Sequence, residues 1–341
     1  MPETRFKVMR VENKFEVSAA LEILDVEAKE LAKINADVVD VDCKTEDEII
    51  EAAKDADALL VIFAPITRKV LSALPKLKVA VRYGIGYDTI DVDAATDTNV
   101  LAVNIPDFCL REVSDQAMAL LLACARKLVP STEGLKEGRW LEVQAEMPNT
   151  SALYEQTLGL VGCGHIGQLV AKKARCFDLK IIGYDPYLDK SVAEQAGIKL
   201  VSLSEVLKGS DYVSLHTPLY KETRHLIGEK ELRQMKPTAY LINTARGGVV
   251  DEPVLIKALR EKWIAGAGLD VFEMEPIEPD NPLLKMDNVV LTPHCSAHTR
   301  QAIQRLRLSV AQEVARVLTG KWPRHWVNKG VKPKVALVKE D

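Results

Sequence analysis

The sequence predicts a parallel α/β protein built from two doubly wound sheets. Three features carry that expectation. Short β-branched runs alternate with stretches of helical period along most of the chain. The strand candidates are continuous apolar runs, as in strands covered by helices on both faces. They also fall into two series separated by one long helix, and 341 residues is the length of about two ordinary domains.

In the first series the strand candidates are Lys7–Val11, Asp37–Asp42, Ala58–Phe63, Lys78–Arg82 and Val100–Asn104, with helix-period segments at Ala20–Ile34 and Glu46–Asp55. Glu112–Leu128 follows as the strongest helix candidate. Val113, Ala117, Leu120, Leu121, Cys124 and Leu128 form one broad stripe on it, the mark of a core helix packed on the second domain. The second series runs Leu158–Val161, Lys180–Tyr184, Tyr212–Leu215, Ala239–Asn243, Ala265–Leu269 and Val289–Leu291. Arg300–Leu318 is a further long helix that carries the chain back toward the first domain. The tail from Val327 is Lys-rich, contains Pro333 and is expected to be loosely held.

Composition removes several function classes. The chain is 47% apolar and 28% charged, ordinary for a globular protein. Its 45 basic and 49 acidic residues leave a net charge of −4, and no single-sign field points to nucleic acid. The longest purely apolar run, Ala117–Ala125, is less than half of the ~20 residues that cross a bilayer, so no membrane role is expected. The first residues mix charges and show no export signal, which places the protein in the cytoplasm. The six cysteines include no Cys-x-x-Cys pair and are read as reduced thiols, with neither metal nor disulfide.

The most informative stretch is Leu158-Gly159-Leu160-Val161-Gly162-Cys163-Gly164-His165-Ile166-Gly167-Gln168. A strand precedes this G-x-G-x-x-G, a helical segment (Gln168–Cys176) follows it, and a second strand ends in Asp185 eighteen residues beyond Gly167. That is the order of a dinucleotide fold. Gly162 allows the tight turn, Gly164 lets backbone approach a pyrophosphate, and Gly167 lets helix pack on sheet. The N–H groups at the helix start, around His165 and Ile166, face the phosphates. Asp185 accepts from the adenosine ribose hydroxyls and repels a 2′-phosphate, so the expected cofactor is NAD.

Ligands of doubly wound sheets sit beyond the carboxyl ends of the strands. There this chain places His216-Thr217-Pro218, then Thr244-Ala245-Arg246-Gly247-Gly248, then Asp270 with Glu273 and Glu275, then Thr292-Pro293-His294. A guanidinium grips a carboxylate in a planar, bidentate way. An imidazole suits proton transfer near neutral pH, and a carboxylate beside it holds its tautomer and favours its protonated form. Arg246, Glu275 and His294 supply those parts for hydride transfer to a 2-oxo acid or from a 2-hydroxy acid. Singly, each is an ordinary loop residue. Their arrival at successive strand ends beside a nucleotide turn makes the functional reading. His225, His298 and His325 are read as structural, with His298 bordering the site, and His165 counts only as part of the turn.

These segments resemble the D-isomer-specific 2-hydroxyacid dehydrogenases. The likeness covers nearly the whole chain through Val81-Arg82-Tyr83-Gly84-Ile85-Gly86-Tyr87-Asp88, Leu158 to Gly167, Leu241 to Gly248, Gly268-Leu269-Asp270-Val271-Phe272 and Leu291-Thr292-Pro293-His294. It implies a Rossmann NAD-binding domain (105–296) inserted in a discontinuous, flavodoxin-like substrate domain (1–104 and 297–341). It also implies a homodimer through the cofactor domain, with Glu112–Leu128 and the arm around Trp140 at the interface. The Arg82-Tyr83-Gly84 loop resembles a clamp for the substrate carboxylate with backbone N–H donors. Arg246, Glu275 and His294 match the catalytic trio, with Arg246 and His294 touching substrate. The cofactor set is Gly162, Gly164, His165, Ile166, Gly167, Asp185, His216, Thr217, Pro218, Thr244, Ala245, Arg246, Asp270 and His294. Leu60–Ala64 offers no Arg for a substrate phosphate, which favours an unphosphorylated acid. Cys295 stands where an aliphatic residue or Gly is expected. The alternatives are a non-catalytic NAD(H)-sensing protein of the corepressor type, and a phosphite dehydrogenase on the same fold. A formate enzyme is disfavoured, since it pairs the histidine with Gln where this chain has Glu275.

Overall fold

Each strand candidate of the sequence becomes a strand in the structure, a computed structural model that describes residues 6–12 and 26–339. Two compact units result, Met1–Cys109 with Thr299–Asp341, and Leu110–His298.

In the first unit the order is β1 (Phe6–Glu12), α1 (Val26–Ala32), β2 (Ala36–Asp42), α2 (Glu46–Ala53), β3 (Ala58–Val61), α3 (Arg68–Ala73), β4 (Val79–Arg82), α4 (Val92–Asp97) and β5 (Leu101–Val103). Residues 20–25 of the expected helix Ala20–Ile34 lie outside the described residues. All strands pair in parallel in the order β2-β1-β3-β4-β5, the flavodoxin-like arrangement. Every residue of β3, β4 and β5 is buried. Leu59, Leu71, Leu74 and Leu77 are among the fully buried side chains of this core. At α2, Thr45 accepts from the Glu48 N–H and Glu48 accepts from the Thr45 N–H, a capping box that fixes where the helix begins.

The second unit holds α5 (Leu110–Ala125), α6 (Leu128–Lys136), α7 (Trp140–Glu146), β6 (Thr157–Val161), α8 (His165–Arg175), β7 (Lys180–Tyr184), α9 (Lys190–Gln195), β8 (Lys199–Leu200), α10 (Leu203–Gly209), β9 (Tyr212–Leu215), α11 (Glu229–Leu232), β10 (Tyr240–Asn243), α12 (Glu252–Arg260), β11 (Gly266–Leu269) and β12 (Val289–Leu291). Its seven strands lie in the order β12-β11-β10-β9-β6-β7-β8, all parallel. The order runs outward in opposite directions from β6, so the reversal falls between β6 and β9, where such sheets bind ligands. α13 (Arg300–Leu318) belongs to the first unit.

Three expectations change. The helix expected over Glu112–Leu128 ends at Ala125, because Lys127 takes a left-handed conformation (φ 48°). Leu128 therefore opens α6 and leaves the stripe, 52% exposed. The strand β8 is added, since two residues carry no period by which a sequence could announce them. The tail from Val327 is not loose. The Val327 N–H donates to the Ala102 carbonyl (2.9 Å). The buried Asn328 side chain accepts from the Ala102 N–H (3.0 Å) and donates to the Val100 carbonyl (2.8 Å). One amide thus satisfies the open edge of β5, which would otherwise expose unpaired donors and acceptors.

No disulfide joins any of the six cysteines, and four of them are buried. Among the described residues no cluster of His, Cys, Asp and Glu is placed to hold a metal ion, and no helix is long and apolar enough to cross a membrane.

Candidate active site

Along the carboxyl edge of the second sheet, from β7 to β12, the strands present Asp185, the glycine turn, His216-Thr217, Thr244–Arg246, Asp270 and His294 in spatial order. The sheet thereby gathers residues more than a hundred positions apart into one row.

The glycine turn follows β6. Gly162 sits at φ 89°, and a Cβ there would lie 2.8 Å from the His216 backbone. The turn is thus pressed onto the end of β9. At Gly167 a Cβ would lie 2.5 Å from the Gly162 carbonyl oxygen, so helix α8 packs there without room for a side chain. Gly164, the residue before α8, differs: a Cβ built on it meets nothing within 4 Å. The N–H groups of Gly164, His165 and Ile166 have no acceptor among the described residues. They stand at the positive end of an eleven-residue helix, a ready-made anion site. Asp185 accepts from the Cys163 N–H (2.8 Å) and the Tyr187 N–H (2.9 Å), which fixes its carboxylate beside the turn. Two buried hydroxyls, Thr217 Oγ1 and Thr244 Oγ1, end adjacent strands with no partner among the described residues. An open phosphate cradle, an acid at the neighbouring strand end and two orphaned hydroxyls fit a bound dinucleotide. Half-buried His216 lies 3.0 Å from Ser214 Oγ, and burial pushes it down to about 4, so it is neutral at physiological pH.

Further along the row, Asn243 at the end of β10 folds the next turn. Its side chain accepts from the Ala245 N–H (3.0 Å) and donates to the Arg246 carbonyl (3.0 Å). Gly247 then lies flat on the Phe272 backbone, where a Cβ would sit 1.9 Å from the carbonyl carbon. The Phe272 N–H donates to Glu275 Oε1 (3.0 Å), and Glu275 Oε2 lies 2.6 Å from His294 Nδ1. Burial works against the Glu275 charge. The bond and charge of His294, the Phe272 N–H and nearby Arg246 outweigh it and hold the carboxyl below its ordinary value. The structure therefore brings Arg246, Glu275 and His294 together.

Asp270, expected in the cofactor set, is tied into the loop that follows β12. It is fully buried, and its oxygens accept from the Thr292 hydroxyl (2.5 Å), the Cys295 N–H (3.0 Å), the Ser296 N–H (3.0 Å) and the Ser296 hydroxyl. Its carboxylate builds the loop that holds His294 at φ 47°. Cys295 gains a reason as well: its Sγ is 3.7 Å from the same carboxylate. Burial and Asp270 push this thiol up, away from the thiolate form. His298 is pushed down by burial and by the His294 charge.

In the first unit, the loop after β4 departs from expectation. The Tyr83 N–H donates to the Val61 carbonyl (2.8 Å) and the Gly84 N–H to the Arg82 carbonyl (2.9 Å), so both expected donors are engaged. The N–H groups of Ile85 and Gly86 have no acceptor among the described residues. Asn104 holds the Ile85 carbonyl (2.6 Å) and the Ile105 N–H holds that of Gly84 (3.0 Å). Arg82 is buried, donates to the Tyr83 carbonyl and stacks 5.5 Å from the Phe63 ring centroid. The phenol of Tyr83 donates to buried Glu27 (2.8 Å), itself bonded by Arg307 (2.8 and 2.9 Å). No sequence spacing announces that network.

A parallel sheet with a phosphate turn at its reversal and an acid–imidazole–guanidinium group at its strand ends defines a dinucleotide-dependent oxidoreductase. The family model "D-isomer specific 2-hydroxyacid dehydrogenase, NAD binding domain" matches residues 118–296, and the chain belongs to that family. It is an NAD-dependent oxidoreductase of D-2-hydroxy acids. Over 285 residues it is 44% identical to a glyoxylate reductase of Korarchaeum cryptofilum, spanning 83% of this chain and 86% of that one. It is 44% identical over 286 residues to a D-3-phosphoglycerate dehydrogenase of Methanocaldococcus jannaschii, covering 83% of this chain but 54% of that longer protein. The D-lactate dehydrogenase of Aquifex aeolicus, solved with NAD and lactic acid, superposes with a TM-score of 0.79 at 29% identity, covering 92% of this chain and 96% of that one.

Proposed function

We propose that the chain interconverts a small, unphosphorylated 2-oxo acid and its D-2-hydroxy acid, with His294 as general acid and base. The observation that carries this is the 2.6 Å bond between His294 Nδ1 and a Glu275 carboxylate held ionised beside Arg246. With Nδ1 committed to Glu275, Nε2 is the nitrogen that gives a proton to the carbonyl oxygen in reduction and takes it back in oxidation. Arg246 grips the substrate carboxylate. The bound dinucleotide supplies or accepts the hydride. The N–H groups of the turn at Gly164–Ile166 hold its pyrophosphate, Asp185 its adenosine ribose, and Thr217 and Thr244 offer it their hydroxyls. In the first unit we assign carboxylate binding to the Ile85 and Gly86 N–H pair in place of Tyr83 and Gly84. The second unit is thus the coenzyme unit, and the first the substrate unit.

Glyoxylate reductase stands among the relatives, and Leu60–Ala64 carries no cation for a phosphate, so glyoxylate, hydroxypyruvate and pyruvate are the first candidates. The test is NADH oxidation with these acids, with bulkier 2-oxo acids and with 3-phosphohydroxypyruvate, and NAD reduction with phosphite. Turnover of a small acid is expected, with the D product from hydroxypyruvate and pyruvate, whose 2-hydroxy acids are chiral. Silence with every 2-oxo acid, or an L product, overturns the proposal, and turnover of phosphite alone moves it to that substrate. We also propose a homodimer through α6 and α7, where Trp140 and Leu141 are 63% and 77% exposed. Sedimentation showing a monomer removes that part. We propose the cytoplasm as its compartment, a reading supported by six cysteines of which none forms a disulfide.

A further inference from the structure

Outside the trio, the second unit carries another imidazole–carboxylate pair. His225 Nε2 lies 2.6 Å from Glu273 Oε1, forty-eight residues away. The pair is a knot between three loops. The His225 N–H donates to the Gly248 carbonyl (2.8 Å), two residues from Arg246. Glu273, two residues before Glu275, accepts with its other oxygen from the Glu252 N–H at the start of α12 (3.4 Å). Its own N–H donates back to Glu252 Oε2 (2.9 Å). Asp251 Oδ2 stands 3.9 Å from His225 Nδ1. His225 itself adopts φ 52°, a left-handed conformation that a side chain with a role to fill can be made to keep.

The geometry reaches the chemistry through Phe272. That residue lies directly under Gly247, next to Arg246, and its N–H holds Glu275. A shift of the Phe272–Glu273 segment therefore moves the guanidinium and the carboxylate together, and displacements of about 1 Å at such positions are enough to cost ~100-fold in rate.

We propose that His225 is a positioning residue, which, by clamping Glu273 against the Arg246 loop, sets Arg246 and Glu275 in register with His294. The inference rests on the catalytic assignment of that trio. Its test compares His225→Asn with His225→Gln. Asn tolerates the left-handed backbone but is too short to reach Glu273, whereas Gln can still donate to it. His225→Asn is expected to keep its Tm and its NADH Kd within twofold, while kcat/KM for the 2-oxo acid falls 10- to 100-fold. His225→Gln is expected to recover most of that loss. Equal activity of His225→Asn and the parent, or no recovery in His225→Gln, overturns the inference. If His225→Asn melts early, Glu273→Gln is read instead: it keeps an acceptor for the ring, and activity near the parent's is expected of it, while a loss as large as that of Glu273→Ala counts against the clamp. His294→Ala run alongside separates the two levels. If it stays active, the trio assignment falls and the inference with it. If it is dead while His225→Asn is normal, the clamp alone is wrong.

Discussion

Gly164→Ala separates binding from folding. The backbone at Gly164 (φ −67°, ψ −163°) is extended and open to any residue, and the added methyl meets no protein atom within 4 Å. Stability should therefore hold or rise slightly, since replacing glycine by alanine at a compatible site typically contributes ~0.4–1 kcal/mol through the unfolded chain. The same methyl occupies the space into which a pyrophosphate must come to reach the N–H groups of Gly164–Ile166. Losing one charge-assisted hydrogen bond there costs about 1.5–3 kcal/mol, or ~10- to 150-fold in affinity. Gly167→Ala is the opposite case, because its methyl meets the Gly162 carbonyl oxygen at 2.5 Å. Overpacking of that kind costs ~1–3 kcal/mol. In a unit of this size that is a Tm lower by roughly 2–10 °C. NADH fluorescence titration and thermal melting on both variants check the pair. A Gly164→Ala protein that binds NADH like its parent, or one that melts early, refutes the cradle.

Glu275→Gln keeps an acceptor for the Phe272 N–H but removes the charge facing His294. The pair is about one-third exposed, so the lower end of the charge-assisted range applies, and kcat/KM for reduction should fall about 10- to 30-fold, more at alkaline than at acid pH. Steady-state pH profiles of both proteins read this. Asp185→Ser should lower the NADH-to-NADPH ratio of kcat/KM by ~10-fold or more, because the repelling carboxylate is gone. His216 predicts a pH dependence of stability. Its folded value of about 4 lies below the ordinary 6.5, so its contribution is complete above about pH 6.5 and is lost as pH falls toward 4. At pH 5 the loss is no more than ~2 kcal/mol, and urea midpoints at pH 7 and 5 should differ less in His216→Gln than in the parent.

The glycine turn is legible in the sequence because each of its glycines answers a separate steric demand at fixed spacing, and steric demands survive in one dimension. The trio is legible because parallel sheets put chemistry at strand ends, so the short loops beyond the apolar runs hold Arg246, Glu275 and His294. Other roles depend on where backbone donors point. Tyr83 and Gly84 spend theirs within the first unit, and Asp270 spends its carboxylate on the His294 loop. Neither residue type nor spacing records that. His225 reads as structural in the sequence because its partner lies forty-eight residues away and its reach depends on a left-handed backbone. The tail misleads for a similar reason: Lys and Pro suggest a loose end, while one amide, Asn328, docks it on β5.

The sharpest check is hydride transfer in a single turnover by His294→Ala, with NADH affinity measured on the same sample. Removing a general acid typically costs 10²- to 10⁴-fold. A fall of that size in the transfer rate, with the NADH Kd within twofold of the parent, is the expected outcome. Transfer within threefold of the parent contradicts the assignment of proton delivery to this imidazole.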